Sequence, residues 1–199
     1  MQFFDQLKSF DIILASKSAR RYDLLASAGI PFRVLLRDTS EEYHDGLQPH
    51  EVTLMIAYRK ALAFGNELLN EKTIVIAADT IVVFQEKILN KPAGYEQAKE
   101  MLSLLSGNTH HVITGVCIGH KTNFRCFHET TSVRFRELSE QEIDFYLAKF
   151  RPYDKAGSYG IQEWIGLTGV SRIEGSYTNV VGLPVERVFE ELKSLIAGL

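Results

Sequence analysis

The chain has 199 residues, 45% hydrophobic and 24% charged, which suits one soluble domain with a sizeable core. A net charge of −3 gives no reason to expect a nucleic-acid polymer as partner, and no apolar run reaches the ~18–20 residues of a membrane helix. Asp5 and Lys8 interrupt the N-terminal apolar residues, so that segment does not read as a signal peptide, and two cysteines, Cys117 and Cys126, read as reduced core thiols of a cytoplasmic protein.

Strand-like and helix-like segments alternate along the chain, which predicts an α/β fold in a single domain spanning 1–199. Asp11–Ala15 is a short buried strand. Ser16–Arg21 is a polar loop entering a helix over Arg21–Ala28 that Gly29 closes, and Phe32–Leu36 is a second strand. After the charged loop Arg37–Gln48, His50–Leu69 reads as one long helix, apolar on most sides apart from Arg59 and Lys60. Thr73–Ala78 is a fully buried strand that reaches Asp79-Thr80 and continues through Ile81–Phe84 into a hairpin with Lys87–Leu89. Ala98, Met101, Leu102 and Leu105 mark Tyr95–Leu105 as an amphipathic helix. His110–His120 and Phe124–Arg136 are long strands joined near Lys121-Thr122-Asn123. Ser139 to Glu142 fits a capping box for a helix running to about Lys149, and after a glycine-rich stretch Pro184 opens the C-terminal helix.

Five features carry chemistry. In Ser16-Lys17-Ser18-Ala19-Arg20-Arg21, Ser18 is placed to cap a helix, and free N–H groups with cations beside them suit an anion; a solvated basic loop is the plainer reading. Asp79 interrupts an apolar run at a strand end, where α/β folds place ligands, though turn aspartates are common. Asp38, Glu41 and Glu42 are oxygen donors of the kind Mg²⁺ takes, or else a solvated acidic loop. Lys60, on an apolar helix, and Lys91, ending a hairpin, need partners: a phosphate, or for Lys60 a structural ion pair with Asp79 or Glu41. Asp154–Gln162 and Gly175–Pro184 are glycine-punctuated loops rich in donors, suited to a ligand or to long turns. Together they supply cations for phosphates, acidic metal ligands and a polar base pocket, the equipment of phosphoryl transfer.

Leu14–Arg21 (LASKSARR), Ala77–Val82 (AADTIV), Asn90–Pro92 (NKP), Ser106–Val116 (SGNTHHVITGV), Asp154–Gln162 (DKAGSYGIQ) and Gly175–Pro184 (GSYTNVVGLP) resemble, in order, the motifs of the Maf nucleotide pyrophosphatases. The resemblance implies a single domain like that of the inosine triphosphate pyrophosphatases, a mixed sheet with flanking helices and a deep cleft between two lobes. It implies hydrolysis of a nucleoside triphosphate to the monophosphate and pyrophosphate with Mg²⁺ or Mn²⁺, a small nucleotide as the only partner besides a second copy in a homodimer, and a cytoplasmic place. Carried over by position, Asp79 is the proton acceptor and, with Glu41, the metal ligand. Ser16, Ser18, Arg20, Arg21, Lys60 and Lys91 bind substrate, and Arg20, Thr80 and Gln162 bear on its choice. The YGIQ form resembles the branch acting on dTTP and UTP. Two further readings are a pyrophosphatase for non-standard purine nucleotides and a nucleotide-binding regulator of septum formation in cell division. The sequence departs from the pattern at Ala19, where proline is usual, and at Asn108, where arginine is usual; the match at Glu41 is loose, since Glu42 adjoins it.

Overall fold

The computed structural model describes residues 2–199. In chain order the elements are α1 (Gln2–Leu7), β1 (Asp11–Leu14), α2 (Ala19–Ser27), β2 (Arg33–Val34), α3 (Pro49–Leu62), α4 (Gly65–Leu68), β3 (Thr73–Phe84), β4 (Lys87–Leu89), α5 (Tyr95–Leu105), β5 (Thr109–His120), β6 (Asn123–Phe135) and α6 (Glu140–Phe150). A short 3₁₀ turn (Ala156–Ser158), α7 (Trp164–Gly169), β7 (Val170–Glu174), α8 (Tyr177–Val181) and α9 (Val185–Ala197) follow. Among the described residues seven strands form one mixed sheet in the order β2-β1-β3-β5-β6-β7, with β4 paired to β3. The chain divides into two compact units: one holds residues up to Asp79 with Thr114–Glu129 and Gly182–Leu199, the other Thr80–Ile113 and Thr130–Val181.

In the first unit β1 lies between β2 and β3, parallel to both, with Asp11 opposite Thr73 and Leu14 opposite Ile76. Ile12, Ile13, Leu14, Ile74, Val75 and Ile76 are at most 1% exposed. Burying such side chains contributes ~1.5–3 kcal/mol each, so these six together match the ~5–15 kcal/mol net stability of a typical domain. Register here is therefore fixed by packing, and with it the places of the residues that follow β1 and β3. Leu25, Leu183, Val188, Leu192 and Ile196 cover one side of these strands, and Ala57, Ala61, Phe64 and Leu68 lie with Ile13 and Val75 in a second cluster. The contact of α3 on β5 is backbone to backbone: a Cβ at Gly115 would lie 2.5 Å from the carbonyl carbon of Thr53.

The expected single helix over His50–Leu69 is two helices. The chain leaves helical geometry at Phe64 (φ −98°, ψ 24°), whose ring is 1% exposed in the core, and restarts at Gly65. The strand expected over Phe32–Leu36 is reduced to two residues, β2. Asp79 does not end its strand, because β3 runs unbroken from Thr73 to Phe84 and turns into β4 at Gln85-Glu86. Cys117 and Cys126 are not a pair of buried free thiols. The two-residue turn at Lys121-Thr122 sets them opposite one another on β5 and β6, Cys126 is exposed, and they form a disulfide with Cα atoms 4.1 Å apart.

In the second unit α5 is helical over the expected range, and its face of Ala98, Met101, Leu102 and Leu105 is buried. Asn108, in the place of the usual arginine, donates its amide to the carbonyls of Leu104 and Ser106 (3.0 Å each) and so satisfies the end of α5. Helix α6 begins with the expected capping box: Ser139 Oγ accepts from the Glu142 N–H, and the Glu142 carboxylate accepts from the Ser139 N–H. The stretch after α6, read from sequence as loops, contains α7, β7 and α8.

Candidate active site

The first unit gathers seven of the candidate residues. Ser16 follows β1, and Asp79 lies three residues beyond the last parallel pair of β3, so both stand just past the parallel β1–β3 ladder, on the side where its strands point their carboxyl ends. Ser16 is buried, and its Oγ accepts from the Ser18 N–H at 3.2 Å. Ser18 has extended backbone geometry and caps α2, accepting from the Arg21 N–H at 3.5 Å, which starts the helix at Ala19, two residues earlier than expected. Arg20 is half-buried in the first turn.

Arg21 turns inward. It donates Nε–H to the Gly182 carbonyl at 2.7 Å, and Nη1–H to the Ala78 carbonyl at 2.9 Å and to Ser16 Oγ at 3.3 Å. Burial pulls its pKa below the usual guanidinium value, opposed by the attraction of Asp79. These bonds tie the basic loop, the residue before Asp79 and the Gly182 turn to one rigid group.

Lys60 reaches two carboxylates at once, Glu41 Oε1 at 2.7 Å and Asp79 Oδ1 at 2.9 Å. Sequence reasoning allowed either partner, and the structure supplies both. Glu41 rather than Glu42 faces the lysine because the backbone of Glu42 is pinned: Ser40 Oγ accepts from its N–H at 3.1 Å, and the Arg59 guanidinium holds its carbonyl. The Lys60 and Asp79 side chains are only 16% and 15% exposed, whereas Glu41 is 55% exposed. One end of the cluster is thus fixed on a strand and the other is on an open loop.

This arrangement fits a hard divalent cation. Two carboxylates already converge on one cationic centre, and oxygen is the donor type Mg²⁺ takes. Among the described residues no group of three or more His, Cys, Asp or Glu is placed to hold a metal by itself. Mg²⁺ commonly uses one or two carboxylates and completes its shell with water and phosphate oxygens, so a nucleotide would complete this one.

The second unit carries the remaining three. Thr80 is half-buried in β3, and Lys91 is exposed beyond β4, before the buried Pro92. Gln162 is exposed as the third residue of the turn Gly160-Ile161-Gln162-Glu163, closed by the Glu163 N–H on the Gly160 carbonyl at 3.0 Å. Before this turn, Gly157 (φ +67°) brings the 3₁₀ turn so close to β3 that a Cβ would meet Val82 at 2.9 Å.

Sequence reasoning missed the groups that hold this turn. The Tyr146 hydroxyl accepts from the Gly160 N–H at 3.1 Å and donates to Glu163 Oε2. Glu163 Oε1 lies 3.2 Å from Lys155 Nζ, which also meets Asp154 Oδ1 at 2.7 Å. Burial and the Glu163 carboxylate push the Tyr146 phenol well above its usual pKa, so it stays a donor. Next door, Tyr159 meets His110 Nε2 at 2.7 Å, and burial pulls that histidine down to about 3, which keeps it neutral. Lys155 lies within the loop singled out from the sequence, whereas Tyr146, 14 residues from Gly160, gave no local signal.

The second glycine-rich loop spends its donors on the fold. Asn179, fully buried, donates to the Val112 carbonyl at 3.1 Å and to Thr131 Oγ1 at 2.9 Å. Thr131 Oγ1 also donates to the Ser176 carbonyl at 3.1 Å and accepts from the Ser176 N–H at 3.1 Å.

The profile of one protein family, described as Maf-like protein, matches residues 11–195. The chain is 48% identical over 95% of its length to a dTTP/UTP pyrophosphatase of Porphyromonas gingivalis, of which it covers 96%. It is 47% identical over 95% of its length to a dTTP/UTP pyrophosphatase of Bacteroides fragilis, of which it covers 98%. Among solved structures it is similar to the Ham1 protein of Staphylococcus aureus, with a TM-score of 0.44 at 16% identity over 63% of this chain and 71% of that one.

Proposed function

This chain belongs to the Maf-like protein family, and from that premise we propose that it hydrolyses nucleoside triphosphates, dTTP and UTP foremost, to the nucleoside monophosphate and pyrophosphate. Water attacks the α-phosphorus, the bond to the oxygen bridging to the β-phosphorus breaks, and pyrophosphate departs. The observation that carries this reading is the Asp79–Lys60–Glu41 cluster just past the parallel pairing of β3 with β1.

Asp79 and Glu41 would hold a divalent cation, Mg²⁺ or Mn²⁺, which supplies charge neutralisation for the phosphates. The chain's own side chains do the rest. Asp79, fixed on β3, accepts the proton of the attacking water at its carboxylate. Lys60 offers its ammonium to phosphate oxygens, as do Arg20 and Lys91. Ser16 and Ser18, with the first N–H groups of α2, provide a further anion site. Arg21 holds Asp79 and the loop in register through Ala78 and Gly182. Gln162 reads the base, because an amide offers both a donor and an acceptor to the O4 and N3–H of uracil or thymine; Thr80 contributes to substrate choice as its β3 neighbour at Asp79. No helix among the described residues is long and apolar enough to cross a membrane. The substrates are metabolites of the cytoplasm, where we place the protein and where the Cys117–Cys126 disulfide is open to reduction; a homodimer is what the family resemblance alone implies.

A panel of dTTP, UTP, CTP and GTP with Mg²⁺ or Mn²⁺, with pyrophosphate and orthophosphate measured separately, tests the reading. Pyrophosphate and the monophosphate are expected, fastest from dTTP and UTP. Release of orthophosphate with a diphosphate product would overturn it.

A further inference from the structure

We propose that Tyr146, Glu163 and Lys155 form a positioning network for base selection, holding the turn that presents Gln162; this rests on the reading of Gln162 as the residue that meets the base. Tyr146 on α6 is fully buried, and its single hydroxyl binds both ends of the turn: it accepts from the N–H of the first residue, Gly160, and donates to the carboxylate of the fourth, Glu163. Lys155 holds the other carboxylate oxygen. The second and third residues, Ile161 and Gln162, are thereby fixed from outside the turn.

The contacts exceed what the turn itself needs. A four-residue turn closes on one hydrogen bond, and that bond is present. A lysine 11% exposed and a carboxylate 19% exposed are added to it, although enclosing an ion pair is often no better for stability than apolar packing of the same volume. The glycine is required by the same contact: a Cβ at Gly160 would lie 2.8 Å from the Glu163 carboxyl carbon. Upstream, Tyr159 is anchored on His110, and downstream the Glu163 carbonyl accepts from the N–H groups of Gly166 (3.0 Å) and Leu167 (3.1 Å), which opens α7. Gly160 and Glu163 are hydrogen-bonded to Tyr146 and Ile161 is buried, while Gln162 remains exposed. A side chain that must offer its donor and acceptor in one orientation gains from such support, because its own freedom is then the only freedom left to lose on binding.

The test is steady-state kinetics with UTP and GTP for the wild type, Tyr146→Phe, Gln162→Ala and the double variant, with melting curves. Phenylalanine keeps the buried ring and removes the hydroxyl. KM for UTP should rise about tenfold with kcat within about twofold, and the UTP-to-GTP ratio of kcat/KM should fall about tenfold, toward that of Gln162→Ala. The double variant should show no further fall, because both changes act on one element. If Tyr146→Phe does not fold, Glu163→Gln is read in its place, with the same fall expected. A selective wild type whose ratio is unchanged in Tyr146→Phe or Glu163→Gln, while Gln162→Ala lowers it, overturns the positioning role alone. A wild type without turnover of UTP and dTTP overturns the functional reading and this proposal together.

Discussion

Two lysines in this molecule sit in nearly the same setting and are used in opposite ways. Lys60 lies between Glu41 (2.7 Å) and Asp79 (2.9 Å), and Lys155 between Asp154 (2.7 Å) and Glu163 (3.2 Å). Each has one exposed carboxylate partner, Glu41 or Asp154, and one largely enclosed partner, Asp79 or Glu163. The difference is in the enclosed partner. Glu163 is also bound by a buried tyrosine hydroxyl and its residue starts a helix, so it cannot leave without breaking local structure. Asp79 projects from the continuation of β3 beyond its parallel pairing, and the second carboxylate on its lysine belongs to a loop. An ion pair braced on all sides holds shape, whereas one braced at a single end can exchange its cation.

Four substitutions test that contrast, in descending order of expected effect. Asp79→Asn keeps the size and removes the charge. The expected result is a loss of roughly 10²-fold or more in kcat, as for removal of a general base, with a melting curve close to wild type. Near-normal turnover would make Asp79 a structural partner like Glu163.

Next, Lys60→Met and Lys155→Met should part company. Without Lys60 the Asp79 and Glu41 carboxylates lose their built-in cation, and Mn²⁺ should bind the nucleotide-free protein about tenfold more tightly, read by calorimetry. Lys155→Met should leave Mn²⁺ affinity unchanged and lower stability by about 1–3 kcal/mol, because Glu163 keeps its tyrosine but loses a charge partner. Equal effects of the two variants on metal affinity would erase the distinction.

The smallest effect is expected at a third acid–base pair, which serves as a control. Glu142 accepts from Arg136 Nη1 at 3.2 Å and from Nη2 at 2.5 Å while capping α6. The Arg136 hydrogen bond, aided by Ser139, holds its carboxyl down to about 2 from an ordinary 4.5. A depressed carboxyl stabilises the fold above its unfolded value, so this contribution is complete above pH 4.5 and disappears as the pH falls through about 2. Glu142→Gln can keep the capping box but loses the ion pair with Arg136, and should cost about 0.2–1 kcal/mol near neutrality, with turnover unaffected. The difference in melting temperature from wild type should close as the pH falls from 5 toward 2.

The sequence was legible where the chain organises itself locally. Apolar spacing placed α5, and the Ser139–Glu142 pattern placed the start of α6. The break at Phe64 had a local signal in Gly65-Asn66, two weak helix formers inside an otherwise apolar run, and burial of the Phe64 ring fixes the kink there. Cross-strand pairing of Cys117 with Cys126 required knowing that the hairpin turns on two residues. Within the site, Lys60 announced itself as a charge on an apolar helix, and its two candidate partners were both correct because few carboxylates lie near buried segments. Asp79 stood out against its run of strand residues. Tyr146 looked like one more core residue of α6, since a hydroxyl's role depends on a turn that no local pattern reveals.

The glycine at position 115 sets a limit on how this protein can diverge. Its missing side chain lets the Thr53 backbone rest directly on β5, at a separation that even one methyl group would not permit. Lys60 is seven residues further along the same helix, roughly 10 Å at 1.5 Å per residue, so a wedge under Thr53 would act on it as on the far end of a lever. In a library varied at position 115, survivors selected for folding alone should include small residues accompanied by a shifted helix, whereas survivors selected for turnover should contain glycine.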